Sequence, residues 1–171
     1  AQKRWRAERV MVLDFDAHHG DGTEEILADR PGVRFLSLFQ WPLFPHRRVE
    51  PTPSNAVLSP LPAGAGGEDI RNVVENVWLP EIDKFQPDLM ILSAGFDAHC
   101  EERIAQLKAG EMDYACVTRL LVEASFAYCE GRLVSVLEGG YELRSLARSV
   151  FTHLQGLIRN PLPAETCKDP N

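Results

Sequence analysis

Residues 10–23, VMVLDFDAHHGDGT, decide the fold class that this sequence predicts. The unbroken apolar run Val10–Leu13 is typical of a strand that is buried on both faces of a parallel sheet. Acidic and imidazole side chains follow this run at once, and glycines then allow the backbone to turn. Because ligands of open α/β sheets bind at the carboxyl ends of the strands, the stretch predicts a ligand or metal site where the first strand ends.

The rest of the chain repeats this alternation of strand and helix. Further apolar runs occur at Val33–Phe39, Leu89–Ser93 and Leu133–Leu137, each nearly continuous, as in strands buried on both faces. Helical patterns lie at Asp21–Asp29, at Gly67–Phe85, at about Asp113–Tyr128 and at Leu143–Ile158. We expect Asp21 or Thr23 to cap the first helix and Pro80 to break the second. The pattern predicts an α/β fold, a parallel sheet with helices on both faces.

Two segments fall outside this alternation. Trp41–Ser59, rich in proline and aromatic residues, is predicted to be a long loop, and loops of that length in a compact domain are usually functional. From composition alone, a functional loop is no better supported than a loop that only runs over the surface, in which Trp41 and Phe44 cover the core. Residues 161–171 are predicted to form a disordered tail, so that residues 1–160 make up the folded unit.

Composition narrows the classes of function. The 171 residues carry a net charge of −7, so the chain lacks the basic surface that binds phosphate backbones, and we expect no direct nucleic-acid binding. No apolar segment reaches the ~18 residues of a membrane span, so we expect no membrane partner. The four cysteines are far apart in the sequence and are predicted to be reduced thiols, which favours a cytoplasmic location; they are Cys100, Cys116, Cys129 and Cys167.

Polar side chains follow three of the predicted strands. Asp16 and His18 follow the first strand, Asp97 the third, and Tyr141 follows two glycines after the fourth. Parallel strands bring these ends to one edge of the sheet, where an Asp-His-Asp set leaves coordination positions open on a divalent cation. Such a cation activates water and polarises a carbonyl, and the Tyr141 phenol is placed to donate to an oxyanion.

Each of these features has a purely structural alternative. An aspartate after a strand is more often a helix cap or a loop residue, and a Gly-Gly-Tyr turn is usually only a turn. His19 and His99 are expected to be structural rather than ligands. Three separate strand ends that each deliver a suitable group favour the catalytic interpretation over these alternatives.

Three motifs, in this order and spacing, resemble the zinc-dependent histone deacetylase family with its acetoin utilization and acetylpolyamine amidohydrolase relatives. They are DFDAHHGDGTEE from Asp14, SAGFDAH from Ser93 and LEGGYEL from Leu137. The resemblance covers about Arg9 to Leu157. It implies an arginase-like α/β sheet and the hydrolysis of an acyl amide, of acetyl-lysine or a related acetylated amine, by a zinc-activated water.

The resemblance also implies roles for single residues. Asp16, His18 and Asp97 match the zinc ligands, and Tyr141 matches the tyrosine that polarises the scissile carbonyl together with the metal. Phe44 matches the aromatic wall of an acyl-lysine tunnel. Gly140, the residue before Tyr141, is likewise assigned to substrate binding.

Two monovalent-cation sites are implied in the same way. Asp14 and Ser37, with the carbonyls of Asp16, His18 and Leu38, match a site beneath the zinc that usually holds potassium. The carbonyls of Leu27, Arg30 and Val33 match a second, peripheral site.

The sequence departs from the family at its beginning. Family members carry a pair of adjacent histidines, the general base and general acid, upstream of the first motif, whereas nine residues precede the first strand here. Asp14 and Asp21 match the carboxylates that orient those imidazoles. We therefore expect a carboxyl-terminal half of a deacetylase domain whose uncovered sheet edge pairs with a second copy or with the missing half.

Other functions stay open beside deacetylation. Loss of a general base typically costs about 10²–10⁴-fold in rate, so this chain alone is expected to be inactive, and a catalytically silent metal-binding or interaction module is the alternative. An arginase-like dimanganese site needs carboxylates where Gly20 and His99 stand, so one metal is predicted. Zn²⁺ suits the ligand set, but Fe²⁺ or Co²⁺ would also be accepted. The segment after Asp97 departs from the family turn, and no role is predicted for Glu101 or Glu102.

Overall fold

Five parallel strands form one sheet in the computed structural model, which describes residue 2 and residues 7–46 and 51–158. The strand order is β3-β2-β1-β4-β5. The strands are β1 Val10–Asp14, β2 Val33–Gln40, β3 Ala56–Leu61, β4 Leu89–Ala94 and β5 Leu133–Leu137. The helices are α1 Asp21–Leu27, α2 Gly67–Val73, α3 Leu79–Phe85, α4 Glu111–Cys129 and α5 Leu143–Leu157. The predicted α/β class and the parallel sheet are confirmed.

The core lies mainly between the sheet and the helices α2 to α5. Met11 and Leu13 of β1 are fully buried and belong to one apolar cluster with Trp78 and Leu121; this cluster also includes Leu36 of β2 and Met90 and Leu92 of β4. Side chains alternate along a strand, so Val12 and Asp14 face the opposite side of the sheet, where α1 packs on β2. Helices therefore lie on both faces of the sheet, with α1 packed on β2.

The sequence missed β3, which lies partly inside the loop predicted at Trp41–Ser59. Ala56–Leu61 pairs with β2 from Phe35 to Gln40 and forms one edge of the sheet. The strand is only half buried and contains Pro60, so it lacks the continuous apolar run that marked the other strands. Proline is tolerated at a sheet edge because no ladder hydrogen bond is lost there.

The strand β5 was predicted correctly in its bounds but not in its burial. It forms the second edge of the sheet, and Val134 and Val136 are 49% and 47% exposed. An apolar run alone does not separate a central strand from an edge strand that lacks a neighbour. The described part of the chain thus leaves an apolar edge uncovered.

Pro80 does not break the second predicted helix. The residues Val74–Trp78 form a π-helical turn between α2 and α3, and the Leu79 N–H donates to the Val74 carbonyl, one residue further back than in an α-helix. Pro80 then stands in the first turn of α3, where its missing N–H has no intrahelical acceptor. The first helix also differs, because its N-cap is Gly20 and no side chain caps it.

The cysteine prediction is wrong for one residue. Cys100 and Cys129 are free thiols, but Cys116 is disulfide-bonded. Spacing along the chain does not show which thiols meet in space. No helix among the described residues is long and apolar enough to cross a membrane. The tail predicted to be disordered, residues 161–171, lies outside the described residues.

Candidate metal centre

Asp16, His18 and Asp97 meet at the carboxyl ends of β1 and β4. These two strands are neighbours in register, with Asp14 opposite Ser93. His18 Nδ1 lies 2.8 Å from Asp97 Oδ2 and 3.1 Å from Asp16 Oδ1. One ligand atom from each of the three side chains lies within 4.8 Å of the other two, which is close enough to hold one metal ion.

Backbone hydrogen bonds fix both carboxylates. Asp16 Oδ2 accepts the Gly139 N–H at 2.8 Å, and Asp97 Oδ1 accepts the Ala17 N–H at 2.9 Å. Asp97 is fully buried and Asp16 is 9% exposed. The second oxygen of each carboxylate is thereby left to face the His18 imidazole.

Two glycines make room for these carboxylates. A Cβ on Gly95 would lie 2.2 Å from Asp16 Oδ2, and a Cβ on Gly139 would lie 2.4 Å from Asp97 Oδ2. Any side chain at either position would displace a carboxylate oxygen. The role of Gly95 was missed by the residue-level prediction, although a glycine directly after the strand β4 was a visible sequence signal.

Charge accumulates where the three side chains meet. Hydrogen bonds to Asp16 and Asp97 raise the pKa of His18 to about 10, so the ring is an imidazolium at neutral pH. Burial raises the pKa of the Asp97 carboxyl. Burial also acts to raise the pKa of Asp16, but hydrogen bonds from His18 and Gly139 outweigh it and lower that pKa. A divalent cation would take the place of the His18 proton between the two carboxylates.

A second polar cluster lies on the α1 side of the sheet. Asp14 and Ser37 are opposite each other in the β1 and β2 register. Burial, and then the charges of Asp16, Glu138 and Asp97, raise the pKa of Asp14 well above its usual range. Among the described residues, Ser37 Oγ is a buried hydroxyl with no hydrogen-bond partner. A buried carboxylate beside an unpartnered hydroxyl fits a cation, and Leu38, which was predicted to add its carbonyl, is fully buried next to them.

A cleft of about 480 Å³ opens above the Asp-His-Asp set. Six residues predicted for the site line it: Asp14, Asp16, His18, Asp21, Phe44 and Tyr141. Phe44 and Tyr141 are 69% and 61% exposed and form an apolar rim with Ile104, which the sequence analysis missed. Gly139, rather than the predicted Gly140, lines this cleft. Gly140 instead makes a turn at φ 140°, where a Cβ would meet Leu146.

The carbonyls predicted for a peripheral cation already have protein donors. The Asn55 side-chain amide donates to the Leu27 carbonyl at 2.8 Å and to the Val33 carbonyl at 3.2 Å. The Arg30 carbonyl accepts the Val33 N–H. The second cation site stays a prediction.

The two histidines expected to be structural lie outside the Asp-His-Asp set. The buried His19 ring lies 2.8 Å from Glu24 Oε2 through Nε2, and its centroid lies 4.4 Å from that of the Phe39 ring. His99 Nδ1 accepts the Glu101 N–H at 3.1 Å. Neither imidazole forms part of the three-residue metal group.

Comparison with known proteins identifies the family to which this site belongs. The model of the histone deacetylase domain matches residues 1–157. The chain belongs to the histone deacetylase family. The predicted resemblance and the deacetylase-like α/β fold are confirmed.

Two relatives and one solved structure illustrate the likeness within this family. Histone deacetylase 10, chloroplastic, from Oryza sativa subsp. japonica is 34% identical, and the match covers 99% of this chain and 40% of that protein. Polyamine deacetylase HDAC10 from Mus musculus is 32% identical over 95% of this chain and 26% of its own length. The crystal structure of the HDA15 HD domain superposes with a TM-score of 0.81 at 29% identity, covering 96% of this chain and 48% of that one. The chain thus spans less than half the length of these deacetylases.

Proposed function

We propose that the whole protein is a metal-dependent amide hydrolase that removes an acyl group from acetyl-lysine or a related acetylated amine. The single observation that carries this proposal is the meeting of Asp16, His18 and Asp97 within 4.8 Å, under a cleft that Tyr141 lines. Membership of the histone deacetylase family supports the reaction class.

Zn²⁺ is the proposed ion, held by Asp16, His18 and Asp97. The fit rests on three converging ligand atoms and on two glycines that leave no room for a side chain beside them. When bound, such a cation polarises a carbonyl and lowers the pKa of a water molecule. K⁺ is the proposed ion beside Asp14, supported by the unpartnered hydroxyl of Ser37.

Side chains of the protein position the cation and the substrate carbonyl. Asp16, which lines the cleft, and the buried Asp97 hold a negative charge that is largely shielded from water. The Tyr141 phenol reaches the same cleft from the β5 side and is placed to donate a hydrogen bond to the carbonyl oxygen of a bound amide. Burial raises the pKa of this phenol, and the charges of Asp97 and Asp16 add to the effect, so the phenol keeps its proton at neutral pH.

The rim of the cleft supports an acylated amine as substrate. Phe44 and Ile104 offer apolar walls for the methylene chain of such an amine. One relative is named as a polyamine deacetylase and another as a histone deacetylase, so acetyl-lysine and acetylpolyamines are both candidates.

A catalytically silent module is the second candidate for the 171-residue chain by itself. Within the described residues, the only imidazoles that line the cleft are His18 and His19. Each already has a carboxylate partner, Asp97 for His18 and Glu24 for His19. A proton-transferring histidine pair would have to come from another segment. We propose that the exposed β5 edge is where a second copy or that segment pairs.

The function is tested with the change Tyr141→Phe in the intact protein. We expect turnover of an acetyl-lysine peptide to fall by about 10²–10³-fold, the typical cost of removing one oxyanion donor, while the zinc content is unchanged. Tyr128→Phe is the matched control, because the Tyr128 hydroxyl binds Asp83 on the protein surface. Undiminished turnover in Tyr141→Phe would remove the assigned role, and brisk turnover by the 171-residue chain alone would remove the silent-module candidate.

We propose a cytoplasmic location, with the nucleus as the alternative in a eukaryote. The free thiols of Cys100 and Cys129 support this location, whereas the disulfide-bonded Cys116 counts against it. Recovery of the protein in an organelle fraction, as the name of the rice relative suggests for that protein, would overturn this location.

A further inference from the structure

The side chain of Glu102 makes an unexpected contact with the loop that carries Tyr141. Its Oε1 atom accepts the Tyr141 N–H at 2.6 Å and the Glu142 N–H at 2.8 Å. Glu102 lies in the segment after Asp97, 39 residues before Tyr141 in sequence. One carboxylate oxygen thus joins the segment after Asp97 to the segment that carries Tyr141.

This contact is one of two anchors of the loop. At its start, Gly139 donates its N–H to Asp16 Oδ2 at 2.8 Å, and its carbonyl accepts the Phe96 N–H at 2.7 Å. The chain then turns at Gly140, whose φ of 140° favours glycine. The orientation of the Tyr141 backbone therefore depends on what holds the chain after Gly140, which is Glu102.

Packing does little to hold the Tyr141 side chain. The residue is 61% exposed, and the described rings include none in aromatic contact with it. An exposed side chain with few neighbours keeps one direction only if its backbone is fixed. Two charge-assisted hydrogen bonds to a carboxylate are strong enough to fix it, because such bonds are about twice as strong as neutral ones.

The start of α5 adds to the preference for a carboxylate at this place. Glu142 is the N-cap of this 15-residue helix, and its own N–H points at Glu102. The N-terminus of a helix favours negative charge. A carboxylate is thus stabilised where it also holds the loop.

We propose that Glu102 is a positioning residue for Tyr141: by holding the N–H groups of Tyr141 and Glu142, it directs the phenol into the cleft above the Asp-His-Asp set. This inference rests on the proposed function, because it assumes that Tyr141 donates to the carbonyl oxygen of the substrate. Glu102 does not line the cleft, so its effect is on turnover and not on substrate binding.

The neighbouring Glu101 provides a matched control. Its carboxylate accepts from Arg148 Nη2 at 2.6 Å on the surface and makes no contact with the Tyr141 loop. Glu101→Gln removes the same charge one position away. Glu102→Gln keeps an Oε1 carbonyl oxygen that can accept both N–H groups, whereas Glu102→Ala removes the acceptor.

The first measurement is kinetic, on the intact protein. We expect Glu102→Ala to lower kcat for an acetyl-lysine peptide by about 10–100-fold, the scale of a misplacement of about 1 Å, with KM within about threefold. Glu102→Gln and Glu101→Gln should stay within a few fold of wild type. In a Tyr141→Phe background, Glu102→Ala should cause little further loss, because the phenol that it positions is already gone. A full additional loss in that background would overturn the proposal.

The second measurement does not depend on activity. Amide hydrogen exchange should show the Tyr141 and Glu142 N–H groups protected in wild type and Glu102→Gln, and exchanging at least tenfold faster in Glu102→Ala. Equal protection in all three proteins would overturn the inference even if Glu102→Ala lost activity through misfolding. Absence of turnover in the wild type, with exchange behaving as expected, would instead overturn the proposed function and leave the contact standing.

Discussion

At the scale of single residues, the metal centre depends on two glycines at positions where any side chain would collide with a carboxylate. Gly95 and Gly139 follow β4 and β5, and each lets the backbone pass within van der Waals distance of the Asp16 carboxylate. Gly139 also donates the hydrogen bond that orients Asp16. An alanine there would have to move either the carboxylates or the loop, and both are parts of the site.

We therefore expect Gly139→Ala to abolish stoichiometric zinc binding while the fold persists. The added Cβ would lie 2.4 Å from Asp97 Oδ2, the oxygen that faces His18, and 2.5 Å from Asp16 Oδ2, the oxygen that accepts the Gly139 N–H. Titration with Zn²⁺ followed by calorimetry measures the loss, and circular dichroism checks the fold. Gly22→Ala is the control, since a Cβ on this α1 glycine meets nothing within 4 Å. Wild-type zinc affinity in Gly139→Ala would contradict the expected collision between the Cβ at position 139 and the two carboxylates.

Residue-level prediction from sequence brought together three side chains that the structure also places within 4.8 Å of one another. Asp16, His18 and Asp97 were found because each follows a buried apolar run, and their convergence follows from a parallel sheet. Glu102 was not found because its contact joins residues 39 apart whose backbone N–H groups carry no sequence signal. Long-range contacts to main-chain atoms are set by the fold, and no local pattern reports them.

At the scale of elements, the same limit separates central strands from edge strands. The strands β1, β2, β4 and β5 were predicted because each is a nearly continuous apolar run, the pattern of strands that are covered on both faces. The strand β3 has one neighbour and tolerates Pro60, so it resembled a loop. Element prediction therefore followed the apolar run. It found β5 although that strand is largely exposed, and it missed β3, whose run is interrupted by Ser59 and Pro60.

The contact between α4, β5 and α5 contains a buried histidine, His153. The Thr118 hydroxyl donates to the Tyr114 carbonyl at 2.6 Å, so it accepts from His153 Nδ1 at 2.7 Å, and Ser135 Oγ donates to Nε2 at 2.8 Å. These partners fit the neutral ring. Burial lowers the pKa of His153 to about 4.

This pKa makes the folded state sensitive to acid. In the unfolded chain, His153 takes up a proton near pH 6.5, whereas the folded protein resists protonation until about pH 4, so stability is present above pH 6.5 and is lost as the pH falls towards 4. We expect a loss of about 3 kcal/mol in the free energy of unfolding over this range. Urea unfolding of wild type and His153→Gln at several pH values isolates the effect from that of the carboxylates. Parallel pH profiles in the two proteins would refute this assignment.

At the scale of the whole molecule, the two sheet edges differ in character. The β3 edge carries Pro60, which discourages pairing with another strand. The β5 edge carries Val134, Val136 and Leu137, which are 47–59% exposed, and it lies beside the Tyr141 loop. An uncovered apolar edge next to the cleft is a surface that another strand can cover, and the chain spans less than half the length of its deacetylase relatives.

We expect the 171-residue chain by itself to associate through this β5 edge. Sedimentation velocity over a range of concentrations should show a shift towards dimer or larger species, because strand pairing would bury the exposed valines and satisfy the free backbone groups. Val136→Lys should return the chain to monomer by placing a charge in that contact. Ile26→Lys introduces the same charge on α1, where Ile26 is 65% exposed, and should leave association unchanged. If Val136→Lys associates as strongly as wild type, or if wild type stays monomeric at all concentrations, pairing at β5 between copies is excluded, and the edge remains available only to a different segment.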